Sequence, residues 1–219
     1  FTRARAPAEP KQAAPAWLVR RTRLVAIVGG GGGLTFERPA DVAVGAVSGS
    51  VYLTDSGRNL IFSFSPQGTY LGTLGAGPGG QSIFKNLLGL AVDGDENLFA
   101  VDAGTGVVQR LSPQGRSGGR VELPQRAAIR TGLIDAAVGP AGRVYVIDNY
   151  NNQITVVGNE AARAFGRVGA KGGEFSAPTF CDVDAGGNLY VADCLNARVQ
   201  VFTAEGEFVR AFGRAERGP

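Results

Sequence analysis

The chain has 219 residues, 34 of them glycine, and a formal net charge of +3. That length suits one good-sized domain with a buried core, and the absence of any run of 18 apolar residues excludes a membrane-spanning helix. There is no histidine, so neither a His-ligated zinc site nor a Ser-His-Asp triad can be built from these residues.

In chain order, residues 1–22 come first, rich in Ala, Pro and Arg and without an apolar period. They carry Arg3, Arg5, Lys11, Arg20 and Arg21 against Glu9 and read as a basic arm or linker. The chain opens on Phe1 and has no methionine, the expectation for a processed product or a fragment. A lone strand is expected near Arg23–Val28, ending in the run Gly29–Gly33.

From there one pattern recurs about every 46 residues. An apolar run, a glycine turn, an apolar run closed by aspartate, a polar turn, a third apolar run, a glycine turn and a fourth run follow one another. The closing aspartates are Asp55, Asp102, Asp148 and Asp193. Four short strands per period are the signature of a β-propeller blade. The expected class is all-β, a propeller over 23–219 with blades at about 34–80, 83–124, 127–170 and 174–213. In the first blade the strands fall near Asp41–Val44, Ser50–Thr54, Asn59–Phe64 and Thr69–Leu74. The second copy is the most degenerate, with GRSGGRVEL in place of a clear fourth strand. An aspartate between a second strand and a tight turn accepts hydrogen bonds from backbone N–H groups two residues on, so the four closing aspartates read as structural.

The fourth copy, APTFCDVDAGGNLYVADCLNARVQVFTAEGEFVRAFG, resembles an NHL repeat, and RPADVAV, VYLTD and SPQGTYLGTLG of the first copy resemble it too. The resemblance spans roughly residues 23–213. It departs at the third-strand arginine, which survives only as Arg198; Leu60, Val107 and Gln153 hold the matching positions. The resemblance implies a ring of six blades. Four complete blades plus one N-terminal strand would then be part of such a ring, with a partner chain or a closed four-blade ring as the alternatives. NHL-type amidating lyases depend on zinc-binding histidines, so the resemblance does not carry that activity here.

Asp41, Asp135 and Asp182 are expected to start innermost strands at equivalent places, with Gly89 as the exception. Innermost strands line the channel, so these carboxylates could converge and hold calcium, or each could cap its own loop. No other cofactor is expected. Three motif matches read as turns instead of chemistry. Gly115–Gly119 fits GxSxG but sits between strands, Gly75–Gly80 fits GxGxxG but has Pro78 and no helix after it, and Gly29–Gly33 lacks the Lys-Ser/Thr ending of a phosphate loop. Asp93–Asn97 reads as an acidic hairpin turn. Cys181 and Cys194 flank a predicted hairpin; with Gly186–Gly187 as its turn, Cys181 faces Ala192. Cys194 is then one diagonal step away, a disulfide at the limit of reach or two free thiols.

The loops between blades and those after second strands share one face. They carry Arg38, Lys85, Arg126, Arg130, Arg167 and Lys171 against Glu37 and Glu174 and make it mildly basic. The function expected is a non-catalytic interaction or scaffold module that presents this face to a protein partner. Arg58, Arg126, Arg130, Tyr150, Asn151, Asn152, Arg167 and Lys171 are the contact residues. A calcium-dependent hydrolase or lyase using the channel carboxylates is the enzyme alternative. Single-stranded RNA on the basic face is the third, with Tyr150 the one aromatic in a loop after a second strand.

Overall fold

Each copy of the repeat folds into one antiparallel sheet. The computed structural model describes residues 34–123, 132–158 and 161–213. The arm at 1–22, the strand expected at 23–28, and Arg126 and Arg130 lie outside the described residues.

The first sheet holds β1 (Pro39–Val44), β2 (Val51–Asp55), β3 (Leu60–Phe64) and β4 (Tyr70–Leu74). The second holds β5 (Leu87–Val92), β6 (Leu98–Asp102), β7 (Val107–Leu111) and β8 (Ser117–Val121). The third holds β9 (Leu133–Val138), β10 (Val144–Asp148), β11 (Gln153–Val157) and β12 (Arg163–Phe165). The fourth holds β13 (Pro178–Val183), β14 (Leu189–Asp193), β15 (Arg198–Phe202) and β16 (Phe208–Phe212). Within each sheet the strands lie in chain order. The weak fourth strand of the second copy forms as β8, because Val121 and Arg120 still pair with Val108 and Gln109 of β7.

The first strands β1, β5, β9 and β13 stand beside one another in turn. They alone line a central cavity of about 390 Å³. Four sheets arranged around such a channel are blades of a β-propeller. Apolar clusters fill each gap between blades. Tyr52 and Ile61 meet Phe84, Leu90 and Leu98 at the first boundary. Phe99, Val101 and Val108 meet Leu133, Ala136 and Val146 at the second. Tyr145, Ile147 and Ile154 meet Phe175, Leu189 and Phe202 at the third. This burial is the main stabilising term, since neighbouring sheets share no strand pairing.

The polar fastenings between blades repeat every two blades, not every one. Four residues after the closing aspartate the chain adopts a left-handed conformation in every copy, at Asn59, Gly106, Asn152 and Ala197. In blades 1 and 3 the asparagine oxygen accepts from the next blade: Asn59 from the Leu87 N–H at 2.9 Å, Asn152 from the Ala177 N–H at 2.8 Å. Gly106 and Ala197 have no side-chain oxygen to do this. The inner-strand position shows the same alternation. Asp41 accepts from the Leu90 N–H at 2.7 Å and Asp135 from the Cys181 N–H at 2.8 Å; blades 2 and 4 have Gly89 and Phe180 there. Conversely, only blades 2 and 4 close their first hairpin with an Asp-x-x-x-Asn turn. Asp93 takes the Asp95 and Asn97 N–H groups, and Asp184 takes those of Gly186 and Asn188. Among the described residues these fastenings gather at the first and third boundaries, while the second is packed by apolar side chains.

Replacing Asn152 by glycine keeps the left-handed backbone and removes only the acceptor. We expect a loss of about 1 kcal/mol in urea unfolding, with the same for Asn59→Gly. No change in either would mean that the amide bonds carry nothing.

Candidate functional site

The loop face is held by its closing aspartates, which are 9% exposed or less. Asp55 accepts from the N–H groups of Glu37 (2.7 Å), Arg38 (3.0 Å), Gly57 (2.9 Å) and Arg58 (3.2 Å). Burial pushes its carboxyl up, but these four donors outweigh burial and its pKa lies below the ordinary value. Asp102 takes the Lys85, Asn86 and Gly104 N–H groups. Asp148 takes those of Gly132 and Asn151 and the Asn151 side-chain amide. Asp193 takes the Ser176 N–H (2.7 Å), the Asn196 amide (2.9 Å), the Arg198 guanidinium (2.8 Å) and the Gln200 amide (3.0 Å). Each aspartate therefore binds its own turn to the loop that enters its blade, so the face is rigid. Arg198 also donates to the Lys171 and Glu174 carbonyls.

Of the contact residues read from sequence, several are committed within the fold. The Arg58 guanidinium donates to Thr35 Oγ1 at 2.9 Å, sits 3.4 Å from Glu37 and lies over the Phe62 ring. Asn151 serves Asp148, and Asn152 fastens blade 3 to blade 4. Arg167 donates twice to Glu174 Oε1, at 3.1 and 2.8 Å, yet its side chain is 77% exposed. Lys171 uses its backbone on Glu174 and Arg198 while its side chain faces solvent. Tyr150 is 62% exposed. Glu37 and Glu174, the two acidic residues of the face, thus pair with Arg58 and Arg167.

Sequence reasoning missed Leu195 (74% exposed) and Val168 (72% exposed). Leu195 stands two residues after Asp193, as Tyr150 stands two after Asp148. In blades 1 and 2 that place is Gly57 and Gly104, where a Cβ would come 2.6 Å from Glu37 Cβ and 2.7 Å from Lys85 Cβ. The contrast of Gly, Gly, Tyr, Leu at one repeat position was the available signal. Val168 lies in the loop into blade 4, whose Gly169 carbonyl accepts from Asn196, the neighbour of Leu195. Tyr150 on the blade 3 loop, and Val168 and Leu195 on the loops of blade 4, are thus exposed apolar side chains on the loop face, with Arg167 and Lys171 beside Val168 in the chain.

The channel carboxylates are not equivalent. Asp41 pairs with Thr54 and Asp135 with Ile147, each the residue before a closing aspartate. Asp182 pairs with Tyr190, two steps further along the strand; Phe180, 58% exposed, takes the equivalent position. The irregularity at the start of the inner strand is the same in blades 1 and 4, so the offset lies in the position of the aspartate itself. Among the described residues no group of three or more His, Cys, Asp or Glu side chains is placed to hold a metal ion. Asp182 accepts from the Val183 N–H and is exposed.

Cys181 and Cys194 are both free. Cys181 pairs with Val191, not Ala192, and Cys194 lies past the end of β14, its N–H directed at the Ala177 carbonyl. Four residues of extended strand, about 13 Å, separate Ala177 from Cys181, too far for a disulfide. Burial, then the charges of Asp135, Asp182 and Asp41, push the Cys181 thiol well above its ordinary value, so it is a poor nucleophile.

No protein-family model matches the chain. Solved structures that it resembles include a streptogramin B lyase, at 16% identity and a TM-score of 0.64 over 84% of this chain and 57% of that one. A catalytically inactive virginiamycin B lyase from Staphylococcus aureus, with quinupristin, matches at 17% identity and a TM-score of 0.62 over 82% of this chain and 57% of that one. Hydrazine synthase of Kuenenia stuttgartiensis matches at 14% identity and a TM-score of 0.59, over 84% and 52%. At these identities the likeness is one of fold. The chain spans a little over half the length of the lyases named. Among the described residues no helix is long and apolar enough to cross a membrane.

Proposed function

We propose that the chain is an interaction module of NHL-propeller type that offers the loop face of blades 3 and 4 to a protein partner. The observation that carries this is the exposure of Tyr150, Val168 and Leu195, each on a loop of this face, where buried aspartates bind the turns. Aromatic and aliphatic anchors on a preorganised surface, with arginine and lysine at the border, favour a protein partner. RNA is less supported, because Arg58 and Arg167 are paired with glutamates and one tyrosine gives a single stacking platform.

A second reading, a lyase or hydrolase working at the channel, is favoured by the likeness to structures named streptogramin B lyase and virginiamycin B lyase. Against it stand the missing histidine and the use of Asp41 and Asp135 as acceptors for backbone N–H groups.

The test is capture of partners from the source organism by the wild type and by the double variant Tyr150→Ala/Leu195→Ala. Both side chains are exposed, so the melting temperature should stay within about 2 °C. We expect a partner retained by the wild type and lost by the variant, at least about 10-fold in affinity. Equal retention would remove this face from the reading. Loss of intact quinupristin on incubation with the wild-type chain would favour the enzyme instead.

A further inference from the structure

Gly89 occupies the inner-strand position that Asp41 and Asp135 hold in the blades on either side. A Cβ there would lie 2.6 Å from Asp135 Cα and 2.7 Å from Asp135 Oδ1. The space left by the missing side chain is therefore filled by the Asp135 carboxyl. Asp41 approaches the same gap from blade 1, with Oδ2 accepting the N–H of Leu90, the residue that follows Gly89. Asp135 Oδ2 accepts the Cys181 N–H of blade 4. The two carboxyl groups therefore flank the Gly89–Leu90 backbone, close enough for the charge of Asp41 to act on Asp135. Two bare carboxylates so placed repel, and a proton held between them relieves the repulsion.

We propose that Asp41 and Asp135 share one proton across Gly89 and so form a latch that joins the inner strands of all four blades and loosens when the pair ionises. One arm ties β1 to β5, the other ties β9 to β13, and the shared proton connects the arms. The latch also bridges the second boundary, where the asparagine and aspartate fastenings of the other two boundaries have no counterpart. This places a pH-sensitive element at the centre of the scaffold, independent of which partner binds the loop face.

The surroundings favour retention of the proton. Asp182 and Cys181 of β13 face the pair; β5 contributes no titratable side chain, and none of the four inner strands has a lysine or arginine. β2 contributes Thr54, whose Oγ1 accepts the Asp41 N–H. The other titratable groups of β2, β6, β10 and β14 are engaged elsewhere. The closing aspartates bind their turns, Tyr145 donates to the Ala204 carbonyl and Tyr190 to Asp184, while Tyr52 feels Glu96. Burial first, then the Asp41 charge, raises the Asp135 pKa to about 7. A folded-state pKa above the unfolded value means that the folded form holds the proton more tightly. The stabilisation is fully present below about pH 4 and is lost as pH rises through about 7.

The test follows the melting temperature of the whole chain between about pH 5 and about pH 8.5, alongside carbon-13 titration of its carboxyl groups. The wild type is expected to lose roughly 3–8 °C over that range. Asp135→Asn donates to Asp41 without titrating, so its melting temperature should be flat, whereas Asp182→Asn should fall as the wild type does. One wild-type carboxyl should titrate near pH 7 and vanish in Asp135→Asn. A flat wild-type profile, or an Asp182→Asn variant that is flat like Asp135→Asn, would overturn the latch. Should Asp135→Asn fail to fold, the wild-type titration decides alone: every carboxyl titrating below about pH 5 overturns it.

Discussion

Asp193→Ala is expected to lower stability by about 3–5 kcal/mol, the largest effect of any single change in the loop face. The carboxylate is fully buried and accepts from four donors: the Ser176 N–H, Asn196, Arg198 and Gln200. Alanine removes the common acceptor and leaves the Arg198 guanidinium, whose side chain is only 14% exposed, without its counter-charge. The buried Gln200 amide keeps the Glu174 carbonyl but loses its second acceptor. Removing one partner of a buried pair costs more than the pair contributes, because the other must stay desolvated. Urea unfolding measures this directly. A loss under about 1 kcal/mol would show that water replaces the carboxylate readily and that the turn is not held from within.

Phe175→Ala should cost about 3–5 kcal/mol. The ring is fully buried between blades 3 and 4, with centroids 5.5 Å from Phe202 and 6.4 Å from Phe165. It also fills the space over Gly166, where a Cβ would lie 2.6 Å from the ring. The gap left by truncation is walled by paired strands that cannot collapse into it, so the cavity adds to the lost transfer energy. Phe180→Ala is the matched control. That ring is 58% exposed at the channel, and its loss should change stability by no more than about 0.5 kcal/mol. Similar losses for both would mean that burial in the structure does not track packing in solution.

The four sheets were readable from sequence because a propeller repeats one short pattern. Apolar alternation marks strands, glycine marks turns, and the period separates blades. Even the glycine-rich β8 forms, since backbone pairing to β7 does not need its side chains. Periodicity is silent where a repeat position tolerates several residues. Asn59, Gly106, Asn152 and Ala197 all adopt the same left-handed turn, so the strand pattern is unchanged whether or not an inter-blade bond forms. The two-blade alternation of fastenings needs three-dimensional neighbours to be seen. The Asp182 offset has a similar origin. Asp41 and Asp182 both lie in an inner strand between apolar residues, but the irregularity at the start of the inner strand is the same in blades 1 and 4, which makes Phe180 the equivalent of Asp41 and leaves Asp182 two residues further along. Sequence composition likewise set Glu37 and Glu174 against the basic residues of the face as a sum, whereas the fold decides that Glu37 meets Arg58 and Glu174 meets Arg167. Exposure of Leu195 and Val168 follows from which side of a turn faces solvent, which composition does not report.

The central claim is that the apolar loop face of blades 3 and 4 is the binding surface. Site-specific photo-crosslinking in extract of the source organism tests it most directly, with the crosslinker placed in turn at positions 150, 195 and 209. Val209 lies on the outermost strand β16 and is also exposed, so it controls for mere accessibility. The account predicts one protein adduct common to positions 150 and 195 and absent from 209. Adducts from position 209 alone, or nothing from 150 and 195, would contradict it.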